Sequence, residues 1–242
     1  MKSFASKVCL ITGVGPGTGL SCVKKFAEAG YKVAMIARNK ERLNNIENTV
    51  QNSKAFPCDV SNLENLKNIC EKVILELGEP SVVIHNAIAG ILEGGASMNF
   101  LDGDASTLER NFRVNTTSLL YLTRAIVPGM LKAKEGSIIV TGNTAALRGK
   151  PNFAFFAPTK AAQRVLAQSM AKDFGPKGVH VAYVLIDAAI NTSRTRPIVA
   201  ANKPDEFFCE PNAIADQIFH VAHQERSAWS FDVEIRPNIE NW

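Results

Sequence analysis

The chain has 242 residues, a formal net charge of +4 and five cysteines. This length suits one large α/β domain, and no stretch reads as a linker, a charge block or an internal repeat. Basic and acidic residues are interspersed, which disfavours a nucleic-acid footprint, and no apolar run approaches the roughly 18 residues of a membrane span. The scattered cysteines favour reduced thiols, so we expect a soluble, cytoplasmic protein.

Apolar, β-branched runs alternate with helical patterns along the chain. Runs that are apolar throughout suit strands covered on both faces, and strands joined through helices are parallel. The pattern predicts seven strands, at "KVCLITG", "YKVAMIAR", "KAFPCDV", "SVVIHNA", "GSIIVTG", "HVAYVLI" and "FDVEIR". With right-handed crossovers they form a Rossmann-type, doubly wound α/β sheet with helices on both faces, in a single domain over residues 1–242.

Helices are predicted between these strands, three of them over about 61–77, 107–132 and 156–174. The first helix of the chain is followed by Gly30, which can end it as a C-terminal cap. Ser61 precedes Glu64 by three residues, the spacing of a capping box. Ser61 is therefore expected to cap the third helix.

A glycine-rich loop, "TGVGPGTG" from Thr12 to Gly19, lies between the first strand and the first helix. Backbone amides without side chains can approach a pyrophosphate there, and the helix N-terminus supplies partial positive charge. A glycine string alone is weak evidence, but a strand before it and a helix after it are what a dinucleotide site requires. The loop predicts nucleotide contacts at Thr12, Gly13, Gly17, Thr18 and Gly19. A glycine turn without a ligand is the alternative.

The end of the second strand suggests which dinucleotide is bound. An NAD site places a carboxylate there for the ribose hydroxyls. This chain has Ala37 and Arg38, with Lys40 and Arg42 close by. These cations suit a ribose 2′-phosphate, so NADP(H) is favoured over NAD(H). An ordinary solvated basic turn is the other interpretation.

Over nearly its whole length the chain resembles the short-chain dehydrogenase/reductase family. The family's signature T-G-x-x-x-G-x-G is met in full by the glycine loop, and "HNAIAG" resembles its N-A-G segment, with Ile88 where glycine is usual. "DAAINT" occupies the place of its nicotinamide loop but keeps only two of the expected residue types. The resemblance implies further cofactor contacts at Asp59, Val60, Asn86, Ala87, Lys160, Ile190 and Thr192.

The active-site signature is where the chain departs from the family. The family has a tyrosine and a lysine four apart on a helix, with a serine thirteen residues before the tyrosine. Here Lys160 is present, Phe156 stands at the tyrosine position, and Asn143, beside Thr144, stands at the serine position. Asn115 matches the helix asparagine that holds a water next to the lysine. We expect Phe156 to form an apolar wall that faces substrate.

Phenylalanine has no proton to give to a carbonyl oxygen, so three outcomes remain open. Another donor replaces it, either Thr144, Asn143 or a water held by Lys160 and Asn115. Alternatively, the substrate is an activated alkene or imine that needs little proton transfer, or the site binds NADP(H) without turnover. The interpretation adopted is an atypical oxidoreductase acting on a small, partly apolar carbonyl or alcohol. A catalytically silent nucleotide-binding regulator is the alternative.

The remaining expectations concern the periphery of the domain. The segment over about 191–210 resembles the family's substrate-covering region. The resemblance also implies a homodimer or homotetramer formed through the helices that carry Asn115 and Lys160. His220 and His223 lie one helical turn apart, but no further ligand is at metal-binding spacing, so surface histidines and no metal are expected.

Overall fold

The protein's architecture is taken from a computed structural model that describes residues 4–90, 100–199 and 201–239. The strands are β1 (Val8–Thr12), β2 (Lys32–Ala37), β3 (Ser53–Pro57), β4 (Val82–His85), β5 (Gly136–Gly142), β6 (Val179–Ile186), β7 (Ala189–Ile190), β8 (Phe208–Cys209) and β9 (Asp232–Ile235). The α-helices are α1 (Thr18–Glu28), α2 (Lys40–Thr49), α3 (Leu63–Leu77), α4 (Ser106–Phe112), α5 (Ser118–Ala133), α6 (Ala157–Phe174), α7 (Thr195–Val199) and α8 (Pro211–Ala222).

Seven strands form one sheet in the order β3-β2-β1-β4-β5-β6-β9, and every pair of neighbours is parallel. The predicted doubly wound sheet of seven strands is thereby confirmed. The chain reverses its direction of winding between β1 and β4, which opens a crevice at the carboxyl ends of these strands. A small second sheet, β7 with β8, was not predicted. Two-residue strands are too short to produce a period in the sequence.

Helices cover both faces of the sheet, and each face has its own apolar core. On one face α3, α5 and α6 contribute side chains such as Leu66, Leu122 and Met170. On the other face α1, α2 and α8 contribute side chains such as Phe26 and Ile218. Each such side chain gains about 1.5–3 kcal/mol on full burial. This burial on both faces explains why the strands read as continuous apolar runs.

Helix α1 ends as the sequence predicts. Gly30 has φ +83° and follows the C-cap residue Ala29. The Gly30 N–H donates to the Ala27 carbonyl at 2.9 Å, and the Tyr31 N–H donates to the Phe26 carbonyl at 3.0 Å. This pair of bonds is a Schellman motif, which satisfies carbonyls that the end of a helix leaves without partners.

The N-cap of helix α3 lies one residue later than predicted. Its N-cap is Asn62, whose side chain accepts a hydrogen bond from the Asn65 N–H at 3.1 Å. Ser61 instead donates its hydroxyl to Asp59 at 2.7 Å. The predicted Ser61 cap is therefore wrong: Asn62 Oδ1 accepts the hydrogen bond from the first turn of α3, while the Ser61 hydroxyl is held by the Asp59 carboxylate.

The helix predicted over 107–132 is continuous from Ser106 to Ala133, but it contains a π-helical turn, Arg113–Thr117. Such widened turns are rare and frequent at functional sites. Asn115 lies inside this turn. Helix α6 begins at Ala157 with Pro158 in its first turn, where the missing N–H of proline costs nothing.

Several peripheral expectations can also be compared with the structure. Within the described residues, no helix combines the length and the apolar character needed to cross a membrane. All five cysteines are free thiols, and all but Cys209 are buried. His223 is buried rather than on the surface, with Nε2 2.7 Å from the Tyr31 hydroxyl. The expectation of a surface position is wrong for His223 because the ring packs among aromatic side chains of α1 and α8.

Candidate active site

A cavity of about 500 Å³ lies at the carboxyl ends of β1, β2 and β4. Its walls are the glycine loop, the turn after β2, the residues after β3 and β4, and the residues that follow β7. Open α/β sheets bind their ligands at this crevice, where the order of strands reverses. The fold thus brings together segments that are far apart in the sequence.

The glycine loop has no room for side chains at three of its positions. A Cβ on Gly13 would lie 2.6 Å from the Ala87 backbone, and Gly13 has φ +71°. A Cβ on Gly17 would lie 2.9 Å from Thr192, and one on Gly19 would lie 2.7 Å from the Gly13 carbonyl oxygen. Glycine is therefore required by close packing of the loop, which keeps the backbone amides accessible from the cavity.

The first turn of α1 provides a second sign of an anionic ligand. Thr18 lines the cavity and is only 6% exposed. Within the described part of the chain, its Oγ1 has no hydrogen-bond partner. Buried hydroxyls nearly always have one. A phosphate oxygen at this helix N-terminus would satisfy the hydroxyl, so the residues fit a dinucleotide pyrophosphate.

The cavity is basic where it meets the end of β2. Arg38 and Arg42 line it there, and Asn39 caps α2 by accepting a hydrogen bond from the Arg42 N–H at 2.8 Å. Lys40, which the sequence placed close by, opens α2 and is exposed, outside the cavity lining. The carboxylate of Asp59 lies on another wall and accepts two hydrogen bonds from Ser61. The end of β2 thus presents guanidinium groups and no carboxylate.

Most of the residues predicted to contact a nucleotide line this cavity. They are Gly13, Gly17, Thr18, Gly19, Arg38, Asp59, Val60, Asn86, Ala87, Ile190 and Thr192. Thr12 does not line it. Its side chain is fully buried, and its Oγ1 accepts hydrogen bonds from the Asn86 and Ala87 N–H groups at 3.2 and 3.3 Å. The Thr12 side chain therefore holds the loop after β4 in place and lies outside the cavity lining.

A second cavity, of about 670 Å³, adjoins the first and shares Arg38, Asn86 and Ile190 with it. Lys160, Asn143 and Thr144 all line this second cavity. The Asn143 Oδ1 accepts a hydrogen bond from the Ala145 N–H at 3.2 Å, which holds the turn after β5. The structure therefore brings together three of the four polar residues that the sequence predicted for catalysis, next to the predicted nucleotide cavity, while Asn115 lies outside the cavity lining.

Lys160 is 1% exposed, and both of its hydrogen-bond acceptors are uncharged. Its Nζ donates to the Thr141 carbonyl oxygen at 3.0 Å and to the Oε1 of Gln163. Burial disfavours the charged ammonium and lowers the pKa of Lys160 from its ordinary value of 10.5 to about 7. This lysine therefore titrates near neutral pH.

Gln163 connects Lys160 to the π-helical turn. Its Nε2 donates to the backbone carbonyl of Asn115 at 2.6 Å. The Asn115 side chain holds the chain after β4, accepting from the Ala89 N–H at 2.9 Å and donating to Thr159 at 2.8 Å. The sequence predicted a water between Asn115 and Lys160. The Gln163 amide connects the Lys160 amine to the Asn115 backbone carbonyl, and the water stays a prediction.

Phe156 is the clearest departure from the expected site. Its ring is fully buried against Ala145, Ala157 and Phe153, and it is absent from the lining of the second cavity. Phe153 lines the cavity instead. The expectation that Phe156 faces substrate is corrected because an apolar ring without a hydroxyl is stabilised most by full burial.

Known protein sequences that resemble this chain belong to a family with the same fold. The family model for short chain dehydrogenases matches residues 7–203. The chain belongs to the short-chain dehydrogenase family. An uncharacterized oxidoreductase of Staphylococcus aureus (strain USA300) is 26% identical to it over 242 residues, covering 98% of this chain and 100% of that protein.

Two solved structures illustrate the likeness of this short-chain dehydrogenase to others of its fold. One is a metagenomic short-chain oxidoreductase in complex with NADP, with a TM-score of 0.81, 23% identity and coverage of 97% and 98% of the two chains. The other is an apo short chain oxidoreductase from Pseudomonas aeruginosa PAO1, described as containing an atypical catalytic center. Its TM-score is 0.84 at 22% identity, with 97% of each chain covered.

Sequence reasoning missed several residues of this short-chain dehydrogenase that line the cavities or support them. Gln163 follows Lys160 by three positions, so a helical wheel places both on one face of α6. A glutamine on a buried face was the available signal. Lys150, Asp187 and Arg194 line the second cavity as well. Asp187 and Arg194 lie in segments that the resemblance marked without naming these side chains, and Lys150 lies in a loop that no pattern marked.

Proposed function

We propose that the protein is an NADP(H)-dependent oxidoreductase that transfers a hydride between nicotinamide and a small, partly apolar carbonyl compound or alcohol. The observation that carries this proposal is the contiguity of two cavities. One has a glycine loop and a basic end, and the other contains Lys160, Asn143 and Thr144. A nucleotide in the first would place its redox end towards the polar groups of the second.

The preference for NADP(H) is supported by the guanidinium groups of Arg38 and Arg42 at the end of β2. Planar guanidinium groups form paired, charge-assisted hydrogen bonds with phosphate. The metagenomic oxidoreductase of the same fold was solved with NADP bound. NAD(H) would lack a partner for these cations, and it is the alternative cofactor.

The chain's own residues define the chemistry of the second cavity. A bound nicotinamide nucleotide supplies or accepts the hydride. Asn143 and Thr144 are placed to orient a substrate oxygen, and Phe153 supplies an apolar wall. Lys160 contributes positive charge in its protonated form, which stabilises negative charge developing on that oxygen. Thr195 lines both cavities, and Ile198 lines the second. Their positions support the proposal that the segment 191–210 covers the substrate.

Arg38→Gln is expected to weaken NADPH binding by about tenfold or more, because it removes a charge-assisted contact worth about 1.5–3 kcal/mol. NADH binding should change much less, since NADH has no 2′-phosphate. Fluorescence titration measures the dissociation constants for NADPH and NADH, and their ratio in parent and variant is compared. Lys40→Gln is the matched control, because Lys40 is a nearby cation outside the cavity lining. An equal loss for NADPH and NADH would contradict the assigned phosphate contact.

A nucleotide-binding regulator is the second candidate function, and the buried Phe156 favours it. This protein would bind NADPH tightly and oxidise none across a broad panel of carbonyl compounds. We expect instead that the parent protein turns over at least one such compound. The Phe156→Tyr variant is expected to stay within about tenfold of the parent, because the ring at position 156 does not line the second cavity and its hydroxyl would not reach a substrate there.

The stability of the parent and of Phe156→Tyr is measured together with turnover, because the substitution adds a hydroxyl to a ring that is fully buried. A silent parent together with an active Phe156→Tyr variant would favour the regulator. No binding of either nucleotide to either folded protein would contradict both functions. Denaturant unfolding shows whether each variant is folded.

Assembly as a homodimer or homotetramer and a cytoplasmic location belong to the same proposal. Leu120 on α5 and Val165 on α6 are 39% and 57% exposed, and they lie on the two helices that the resemblance assigns to subunit contact. Light scattering of the purified protein measures the number of subunits. A monomer at micromolar concentration would contradict the proposed assembly.

A further inference from the structure

The inner wall of the second cavity contains a lysine whose surroundings differ from those of a fixed cation. Lys160 is buried, it lines the cavity, and its two acceptors are the Thr141 carbonyl and the Gln163 amide oxygen. Buried cations are normally paired with a carboxylate. Neither acceptor carries a charge that would hold a proton on this amine.

The number of hydrogen bonds matters at this site. A protonated lysine has three N–H donors and no acceptor. Thr141 and Gln163 take two donors, which leaves the third for the cavity. The neutral amine has two N–H groups and one lone pair, so with both donors held in place the lone pair takes the position of the third N–H. The cavity therefore meets a proton donor in one state and a proton acceptor in the other.

The charged and titratable groups around Lys160 leave it free to change state. His85 faces it from β4, and burial together with the charge of Lys160 lowers the pKa of His85 to about 3, so His85 is neutral. The nearest groups on α6, β5 and the π-helical turn are amides and carbonyls. The other charged residues of the cavity are Arg38, Lys150, Asp187 and Arg194. Asp187 has Arg236 3.8 Å away.

We propose that Lys160 itself gives the proton that Phe156 cannot give, and that Gln163 is the positioning residue that holds the amine in place for this role. The inference rests on the proposed oxidoreductase function and names the acid within it. Gln163 is fully buried, and its two hydrogen bonds connect the amine to the Asn115 carbonyl. The amine, Asn143 and Thr144 converge on one cavity from α6 and from the end of β5.

The step balances for the reduction of a carbonyl compound. The carbonyl carbon gains a hydride from NADPH, and the oxygen takes one proton from the Lys160 ammonium. The products are an alcohol, NADP⁺ and the neutral amine. Water entering the cavity after product release returns a proton to the amine. The sum is one carbonyl, one NADPH and one proton converted to one alcohol and one NADP⁺.

Neither Asn143 nor Thr144 is as well suited to this step. An effective general acid has a pKa near the working pH, because both protonation states must then be accessible. Lys160, whose pKa burial lowers to about 7, meets this condition. An amide or an alkyl hydroxyl without an adjacent base does not. Both side chains remain suitable for orienting the substrate oxygen through hydrogen bonds.

The first test measures the lysine without any nucleotide. Protein labelled with ¹³C and ¹⁵N in lysine is titrated by NMR, and the Lys160 signal is assigned by its absence in Lys160→Met. We expect the Lys160 side chain to titrate about three pH units below the other lysines. Titration together with the exposed lysines would overturn the proposal.

Two substitutions at Gln163 then shift the proton affinity of Lys160 in opposite directions. Gln163→Glu places a carboxylate next to the ammonium and should raise the midpoint by one pH unit or more. Gln163→Leu removes an acceptor from the ammonium and should lower it. Carbonyl reduction requires the protonated amine, so the pH at which kcat/KM falls should move with the NMR midpoint. The two variants also protect the test against misfolding of either one.

The outcomes separate this inference from the proposed function. A pH profile that stays fixed while the NMR midpoint moves would overturn Lys160 as the acid, although reduction itself continues. NADPH binding without turnover in the parent and in Phe156→Tyr would overturn the proposed oxidoreductase, and the acid role with it. Coupled movement of both midpoints in both directions supports the inference, because a merely structural role for Gln163 would not shift a pH profile.

Discussion

Lys160→Met is expected to slow the reduction of a carbonyl substrate by about 10²–10⁴-fold at neutral pH, because a positioned acid usually contributes a rate factor of this size. Methionine keeps the length and most of the volume of the side chain but removes the amine that lines the second cavity. NADPH binding should weaken far less than turnover. Single-turnover and steady-state rates, with a fluorescence titration, measure the two effects separately.

The control is Lys172→Met, which removes an exposed amine from the last turn of the same helix. Its turnover should match that of the parent. A Lys160→Met protein that is folded, binds NADPH and retains full activity would contradict a role of this amine in the reaction.

Lys160→Met is also expected to change how the free energy of unfolding depends on pH. The pKa of Lys160 is about 7 in the folded protein and 10.5 ordinarily. Above pH 7 the unfolded chain therefore binds more protons, and the free energy of unfolding rises with pH in the parent. The rise amounts to about 1–2 kcal/mol between pH 7 and 8.5, at about 1.4 kcal/mol per unit once the folded state is deprotonated. Lys160→Met should lack it.

Buried cysteines change the free energy of unfolding with pH in the opposite direction. Burial raises the pKa of Cys22 and of Cys70 to about 12, so the unfolded chain loses protons first and stability falls at alkaline pH. The comparison is therefore made below pH 8.5, as the difference between parent and variant in urea unfolding. Equal slopes for the two proteins would contradict the lowered pKa of Lys160.

Gly13→Ala is expected to destabilise the glycine loop by about 2–4 kcal/mol and to abolish measurable nucleotide binding. The new Cβ would lie 2.6 Å from backbone atoms of Ala87, which cannot move as a flexible side chain can, and the backbone at φ +71° disfavours alanine. Urea unfolding and NADPH titration measure the two effects.

Gly15→Ala is the matched control within the same loop. A Cβ at this position meets no atom within 4 Å, and its φ is not positive. Its stability should stay within about 0.5 kcal/mol of the parent. Similar destabilisation by both substitutions would contradict the packing argument for Gly13.

The course of the backbone could be predicted because its signals are local. Strands buried on both faces must be mainly apolar, as "VCLI" in β1 is, and Gly30 follows α1 where a left-handed cap is needed. The cap of α3 could not be predicted in the same way. Ser61 and Asn62 both favour N-caps, and the choice depends on Asp59, whose carboxylate takes the Ser61 hydroxyl.

The glycine loop and the cations after β2 were visible in the sequence, because strand, loop and helix follow one another within a few residues. The bridge from Lys160 through Gln163 to Asn115 was not. It joins α6 to a π-helical turn 48 residues earlier, and the carbonyl that accepts its hydrogen bond belongs to the backbone, which no residue type marks.

By itself the amino-acid sequence determined the doubly wound sheet, the place of the nucleotide loop and the loss of the tyrosine, since each follows from residue types at short spacing. Only the tertiary structure decided which way Phe156 turns and what surrounds Lys160. Burial and proton affinity depend on every group within a few ångströms, and those groups come from strands and helices that the sequence keeps far apart.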